Sequence, residues 1–405
     1  MKVAIIGGGA AGFFAAISCK THHSDAEVYI FEKSGKNLSK VKVSGGGRCN
    51  VTNVIEPQSD FLRNYPRGQK QLKKTFNYFN RKDTISWFEQ RGVDIKAEED
   101  GRMFPVTNDS QTIIDCLRNE INNLGVQLQN NKGIQVIATK DVNLFELTFL
   151  DGEKQIFDFV IIATGGSPKL EAYEWLANLG HTIVEPVPSL FTFNIPNESK
   201  LKALMGLAVS NALVKIQGTK LVQEGPVLVT HWGLSGPAVL KLSAWGARTL
   251  QEMAYDFKIQ INWLGVMNEE ELRVLVNKEA ELHGKKKIRN VKLNELPTRL
   301  WEYLLDRIQI DLDRVWGEIS KKEKNRLINV LLNDGYQVLG KTTFKEEFVT
   351  CGGVDLSAVD FNSMQSRVVP GLFFAGEVLN IDGVTGGFNF QAAWSTGFVA
   401  GKLAQ

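Results

Sequence analysis

The chain has 405 residues, 43% hydrophobic and 23% charged, ordinary globular fractions that exclude disorder, collagen-like repeats and coiled coils. Its length predicts two to three domains with substantial cores. Lys and Arg number 47 against 45 Asp and Glu, a formal charge of +2, so no global field favours nucleic acid or acidic lipid and only local patches can. Glycine is the one departure: 37 residues, about 9% against a usual ~7%, many of them in tight clusters where backbone turns sharply or approaches a ligand.

Cys19, Cys49, Cys116 and Cys351 are scattered without a C-x-x-C pair, which argues against a disulfide framework or a zinc site and suits a reducing cytoplasm. No apolar run reaches the ~18 residues of a spanning helix, so no membrane association is expected. The opening M-K-V-A-I-I-G-G-G has too short an apolar stretch for a signal peptide and reads as a first strand. Together these features predict a soluble cytoplasmic protein with no bound metal.

In chain order, residues 2 to 6 form a continuous apolar run, as expected of a strand buried on both faces. A Gly-rich turn and an apolar helix from Ala10 to Cys19 follow, then a second strand over 27 to 31. This βαβ opening implies a parallel sheet. Weaker helical stretches lie near 69 to 91 and 110 to 124, strand-like segments run from 126 to 160, and F-V-I-I-A (159–163) stops at Thr164-Gly165-Gly166. Past Pro186 and Pro188 come short strand candidates at 190–195, 209–217, 226–230 and 256–264. Residues 268 to 334 are helical and charged, strand-like segments resume near 336 to 350, and the chain ends on a strand (372–376), a Gly-rich loop and a helix from about 388.

A buried strand running into glycines thus occurs at both ends of the chain. The topology predicted from this pattern is one parallel-sheet domain built from both ends, 1–189 and 349–405. It is interrupted by an inserted β-rich domain (190–266 and 336–348) that carries a helical subdomain (267–335).

Gly7-x-Gly9-x-x-Gly12 sits directly after a strand and opens a helix. Gly7 permits the tight turn, Gly9 lets backbone approach a pyrophosphate, and Gly12 lets helix pack on strand. Glu32, ending the next strand, can accept from both hydroxyls of an adenosine ribose. A second cluster, Ser44-Gly45-Gly46-Gly47-Arg48-Cys49-Asn50, makes a concave run of N–H donors beside a fixed cation. Cys49 lacks a partner and reads as a packing residue. Ala163-Thr164-Gly165 and Gly376-Glu377 follow their strands, and Gly386-Gly387-Phe388-Asn389 opens the last helix, whose positive end suits a flavin that becomes anionic on reduction. There is no second G-x-G-x-x-G, so one nucleotide site is expected, and a nicotinamide donor, NADH or NADPH, would visit transiently or be absent.

On these motifs the chain resembles the HI0933-like flavoproteins, a family that includes YhiN-type and BaiN-type proteins and aminoacetone oxidase. The likeness runs the whole length: GGGAAG at the start, SGGGRCNVTN (44–53), DGRMFP (100–105), ATGG (163–166), LGH (179–181), THWGLSGPAVL (230–240), CGGV (351–354) and GEVLNIDGVTGGFNFQAAWSTG (376–397). It implies FAD in a two-part Rossmann-type α/β domain, interrupted by an inserted β-barrel with a helical subdomain. Three places depart from the family: Ser167-Pro168-Lys169-Leu170 replaces a glycine-rich stretch, Phe388 stands where Tyr is frequent, and Leu38-Ser39-Lys40 replaces G-R-K.

The cofactor-binding residues expected are Gly7, Gly9, Ala10, Ala11 and Gly12, with Glu32 and Lys33 on the second strand's end. Ser44, Gly45, Gly46, Gly47, Arg48, Cys49 and Asn50 form the next group, and Ala163, Thr164, Gly165, Gly376, Glu377, Gly386, Gly387, Phe388 and Asn389 complete the set. No catalytic acid or base is evident. His231 reads either as a proton donor or substrate contact or as a structural residue capping backbone at a strand end. Arg102 either binds an anionic substrate or faces solvent, and His181 reads as a helix-end cap. Basic runs at Lys285, Lys286, Lys287, Arg289 and Lys292 and at Lys321, Lys322, Lys324 and Arg326 are solvated faces or an RNA-contacting surface.

The activity expected is an FAD-dependent oxidoreductase passing hydride at flavin N5 to or from a small organic substrate, reducing a conjugated C=C or oxidising an amine. The alternatives are an RNA-modifying flavoprotein that reduces a pyrimidine base, and a non-catalytic FAD-binding protein.

Overall fold

The computed structural model describes residues 1–141, 144–343 and 349–404. Parts of the spans expected at 126–160, 336–350 and 349–405 therefore lie outside the described residues. The described chain divides into two units. One holds residues 1–189 and those from 349 on, and the other holds 190–343.

The first unit is organised by a sheet in the order Val359–Asp360, Gln365–Ser366, Leu372–Phe374, Phe159–Ile162, Lys2–Ile6, Glu27–Phe31, Gln127–Gln129. From Leu372–Phe374 across to Gln127–Gln129 the neighbours run parallel. The N-terminal strand is therefore central, flanked by residues from the middle and from the far end of the chain. Val3, Ala4 and Ile5 are fully buried, the reason for the unbroken apolar run.

Helix Ala10–His22 is apolar nearly all round because it is covered on both sides. Its second cover is the last helix, Phe388–Gly401, and the approach is close. A Cβ on Gly397 would lie 2.6 Å from the Ala11 carbonyl oxygen, and one on Gly401 2.3 Å from that of Ala15. Ser18 Oγ donates to Phe398 O (2.6 Å) along the same seam.

The stretch expected as helical over 69 to 91 is two helices, Gln69–Thr75 and Arg81–Glu89. Asn80 parts them, its side chain capping the second while Asp83 returns a bond to its backbone. Three short strands, Thr52–Asn53, Arg102–Pro105 and Ile95–Ala97, form a small antiparallel sheet that brings D-G-R-M-F-P beside the second glycine cluster.

The second unit carries a sheet in the order Asp334–Leu339, Asp256–Asn262, Ala208–Ile216, Val222–Val229, Gly233–Ser235, Thr192–Asn194, Lys341–Thr342. Its pairings are antiparallel. Only Gly340 separates the two end strands, so one length of chain pairs with Asp256–Asn262 on one side and with Thr192–Asn194 on the other. Residues 237–252, which carry no strong sequence signal, form helices Pro237–Trp245 and Ala247–Glu252. Pro237 takes the first helical position after Gly236 at φ +92°. Helices Glu269–Leu282, Thr298–Arg307 and Lys321–Leu332 share one apolar core with this sheet, including buried Trp263, Trp301 and Trp316. Among the described residues no helix is long and apolar enough to cross a membrane.

The seam between the first and last helices depends on bare backbone. Gly401→Ala should cost about 1–3 kcal/mol, because the added methyl displaces a carbonyl held in a hydrogen-bonded helix. Thermal unfolding followed by circular dichroism reads this as a lowered Tm, and an unchanged Tm would contradict the packing.

Candidate functional site

The turn after strand Lys2–Ile6 separates three glycines by what surrounds them. A Cβ on Gly7 (φ +118°) would lie 2.2 Å from Ala163 O, and one on Gly12 2.0 Å from Gly7 O. Gly9 meets nothing within 4 Å. Gly7 and Gly12 are thus closed in by neighbouring backbone, while Gly9 borders open space at the start of helix Ala10–His22, where amide N–H groups have no helical partner. Glu32 lies alongside: one carboxylate oxygen accepts from Gly8 N–H (2.9 Å), the other from the Ser34 amide and hydroxyl (both 2.9 Å). Lys33 is exposed.

The second glycine cluster interrupts a helix that begins at Ser39. Gly45, Gly46 and Gly47 take φ of +59°, +70° and +85°, followed by Cys49 at +60°. A Cβ on Gly45 would press on the Phe104 ring at 2.8 Å, whereas Gly46 and Gly47 border open space. Ser44 Oγ donates to Val41 O, and Arg48 stacks 4.0 Å from the Phe104 ring centroid while pairing with Glu98 at 2.5 Å. The Asn50 carboxamide donates to Thr52 O and accepts from Gly387 N–H, each at 2.9 Å, tying this loop to the start of the last helix. Cys49 is fully buried, and burial pushes its thiol up to about 12, so the chain's contribution there is backbone.

Beyond strand Phe159–Ile162, Ala163 packs under Gly7, and Gly165 (φ +72°) again borders open space. Gly376 N–H donates to Thr396 Oγ1 (2.8 Å). Glu377 accepts from Thr350 N–H (2.9 Å) and from Lys40 Nζ (2.5 Å). Thr350 Oγ1 and Asn380 Oδ1 are buried polar atoms without a hydrogen-bond partner among the described residues. Thr350 Oγ1 lies 2.5 Å from where a Cβ on Gly166 would be, next to open-sided Gly165, and an unpaired buried polar atom there is what a cradle for a polar group leaves in a protein chain. On this test the residues fit a dinucleotide.

Two residues expected at the cofactor turn their side chains to the protein itself. Phe388 is buried against Phe61 and Tyr65, with ring centroids 5.0 and 6.0 Å away, so its ring builds core. Asn389 spends its carboxamide on both backbone groups of Gly383 (2.8 and 2.9 Å) and shapes the loop before the last helix.

The weak catalytic candidates also change. Arg102 is held by Asp100 (2.6 Å) and Glu98 (2.9 Å), so it shares an acid with Arg48 rather than standing ready for a substrate anion. His231 is exposed and makes no hydrogen bond among the described residues, against the structural role of capping a strand end. Thr230 does the capping instead, its backbone and hydroxyl both bonded to Gly233. The His231 ring only meets Trp232 edge-on at 5.2 Å. His181 is buried, close to Leu176 O through Nδ1 (3.2 Å) and to Ser366 Oγ through Nε2 (2.8 Å), and burial lowers its pKa.

Sequence reasoning missed the pair beneath the Gly386-Gly387 loop. Asp382 is fully buried, each carboxylate oxygen meets a nitrogen of Arg67, and Ser189 Oγ donates to it at 2.7 Å. Burial raises the Asp382 pKa and the Arg67 cation opposes that rise. The D-G-V-T-G-G run marked Asp382, but no local signal marks an Arg more than 300 residues away.

The profile of the family described as HI0933-like protein Rossmann domain matches residues 1–403. A relative from Clostridium scindens named 3-dehydro-bile acid delta(4,6)-reductase is 26% identical over 411 residues, covering 100% of this chain and 98% of its own. The ribosomal RNA dihydrouridine synthase of Escherichia coli is 30% identical over 406 residues, covering 98% and 96%. Among solved structures, the 3-ketosteroid-delta4-(5alpha)-dehydrogenase of Rhodococcus jostii RHA1 superposes with a TM-score of 0.50 at 13% identity over 100% of this chain and 96% of that one, a likeness of fold.

Gly9 provides a direct check on the cradle. Its extended backbone (φ −94°) accepts any residue and its Cβ direction is empty, so Gly9→Val should leave the Tm nearly unchanged. FAD affinity, titrated by flavin fluorescence on protein stripped of nucleotide, should fall at least tenfold. Equal affinity would contradict the assignment of this turn to a phosphate.

Proposed function

The chain belongs to the HI0933-like family, and from that premise we propose that it is an FAD-dependent oxidoreductase that adds hydrogen across a carbon–carbon double bond conjugated to a carbonyl group. The observation that carries this reading is the set of open-sided glycines, Gly9 and Gly165 after two parallel strands and Gly46 and Gly47 in the loop that Asn50 ties to the last helix. FAD, when bound, supplies hydride transfer at flavin N5.

The chain's own residues bind and orient. The Gly7–Gly12 turn offers backbone N–H groups to the pyrophosphate, and Glu32 serves the ribose. The backbone of 44–50 and 163–165, with Glu377 and the Gly386-Gly387 turn, serves the remainder. The fixed cations nearby, Arg48 and Lys40, are already paired with Glu98 and Glu377, so their charge is held in place. The reaction class is supported by the relatives: a delta(4,6)-reductase and a dihydrouridine synthase are both named for saturating a C=C bond. The single G-x-G-x-x-G supports a nicotinamide donor that visits transiently.

A second reading concerns what carries the double bond. The relative at 30% identity is named for ribosomal RNA, and this chain concentrates two basic runs in its helical layer. A base in RNA is therefore a substrate class to set beside a free small molecule.

Anaerobic photometry tests the reaction class. Photoreduced enzyme is mixed with a 3-oxo-Δ4 steroid, with a uridine-containing transcript, or with a primary amine in the oxidised state. Reoxidation by one of the conjugated alkenes is the expected result, with NADH reducing the flavin slowly. Inertness to both alkenes together with reduction by the amine would overturn the reading.

A further inference from the structure

Helix Lys321–Leu332 presents Lys322, Asn325, Arg326 and Asn329 at i, i+3, i+4, i+7 spacing along one wall of a groove of about 710 Å³. The floor is fixed. Arg307 is spent on Asp334 Oδ1 (2.9 Å), Gly335 O (2.8 Å) and Glu198 (3.2 Å), and Asp334 is buried and also accepts from Trp263 Nε1 (3.0 Å). That network neutralises Arg307 and leaves Lys322 and Arg326 as the charges lining the groove. Lys322 has no ion pair among the described residues, and Arg326 has only Glu323 at 4.0 Å, an acid already held by Arg314 and Ser320.

The other basic run is fastened to the same end of the helical layer. The Arg314–Glu323 pair and the bridge between Lys287 and Val315 tie residues 285–292 to the start of this helix. Lys285, Lys286 and Lys292 there are exposed without an ion pair among the described residues. Folding gives no reason for this placement. Lys321 and Lys322 occupy a helical first turn, where the dipole disfavours cations.

We propose that this groove seats the ribose–phosphate backbone of looped, single-stranded RNA. Lys322 and Arg326 meet phosphates; the carboxamide oxygens of Asn325 and Asn329 already accept from Arg273 (2.9 Å) and Asn333 (3.4 Å), so their NH2 groups are what donate to ribose 2′-oxygens and base-edge acceptors. The groove wall alternates cation and amide, a pattern that suits a sugar–phosphate chain better than a lipid surface, which would ask for apolar anchors. The proposal rests on the RNA reading of the preceding subsection and adds where the RNA lies.

Fluorescence anisotropy on the FAD-loaded full chain tests it, with a labelled RNA hairpin, a DNA hairpin of the same sequence and poly-glutamate as probes. Wild type should prefer the RNA hairpin. Lys322→Glu with Arg326→Glu should weaken RNA binding at least tenfold at 0.1 M salt and lower the slope of log affinity against log salt by about 1.4, two single-strand phosphates at about 0.7 each. Asn325→Ala with Asn329→Ala, which leaves the charge untouched, should reduce the preference for RNA over DNA at least threefold with the slope kept. The flavin spectrum should stay the same in every variant. Unchanged RNA affinity in both double variants, equal binding of RNA and DNA by wild type, or tighter binding of poly-glutamate would overturn the groove assignment. Protein that binds no RNA yet is reoxidised by the steroid enone would also overturn it while leaving the flavin reading standing.

Discussion

The turn that follows the first strand has no room for side chains, and much of the first unit is arranged around that constraint. Ala163 O stands where a Cβ of Gly7 would be, and Gly7 O stands where a Cβ of Gly12 would be. Strand Phe159–Ile162 can therefore lie directly beside Lys2–Ile6, and helix Ala10–His22 can settle on both. The last helix closes on that first helix through Gly397 and Gly401 by the same means. Backbone-to-backbone contact brings strands from the start, middle and end of the chain side by side, and open-sided Gly9 and Gly165 follow two of them.

Electrostatics hold the loops that backbone packing leaves free. The Arg67–Asp382 pair with Ser189 anchors the approach to Gly386-Gly387, and Asn50 fixes the start of the last helix by accepting from Gly387 N–H. A buried carboxylate with a raised pKa is tolerable there only because a guanidinium meets both its oxygens; removing either partner would strand a buried charge. Lys40 and Glu377 form a more exposed pair, flanked by the Thr350 hydroxyl, which has no hydrogen-bond partner among the described residues. In the second unit Asp334 plays the part of Asp382, gathering Arg307, Trp263 and Tyr336 under the helical layer.

Much of this was legible in the sequence, where the physics is local. Continuous apolar runs into glycine marked Lys2–Ile6, Phe159–Ile162 and Leu372–Phe374, because strands covered on both faces need no polar alternation. Glycine spacing marked Gly9, Gly46 and Gly47 as places of close approach, and each borders open space. Whatever depends on distant partners was not legible. Phe388 and Asn389 sit inside a motif, yet their side chains serve Phe61, Tyr65 and Gly383, residues whose proximity only the fold decides. Arg102 and Arg48 converge on one acid, Glu98, through a three-stranded sheet that short, weakly patterned segments barely announce. Helix Pro237–Trp245 gave no helical signal because it is apolar nearly all round, and Ala247–Glu252 is too short, at six residues, for its period to show.

The central claim is that the cradle holds FAD. The visible absorption spectrum of protein purified without added cofactor tests it most directly, followed by heat release and chromatography of anything coloured. One FAD per chain is the result expected from these glycines and from Glu32. A colourless protein that also fails to take up added FAD would contradict the account.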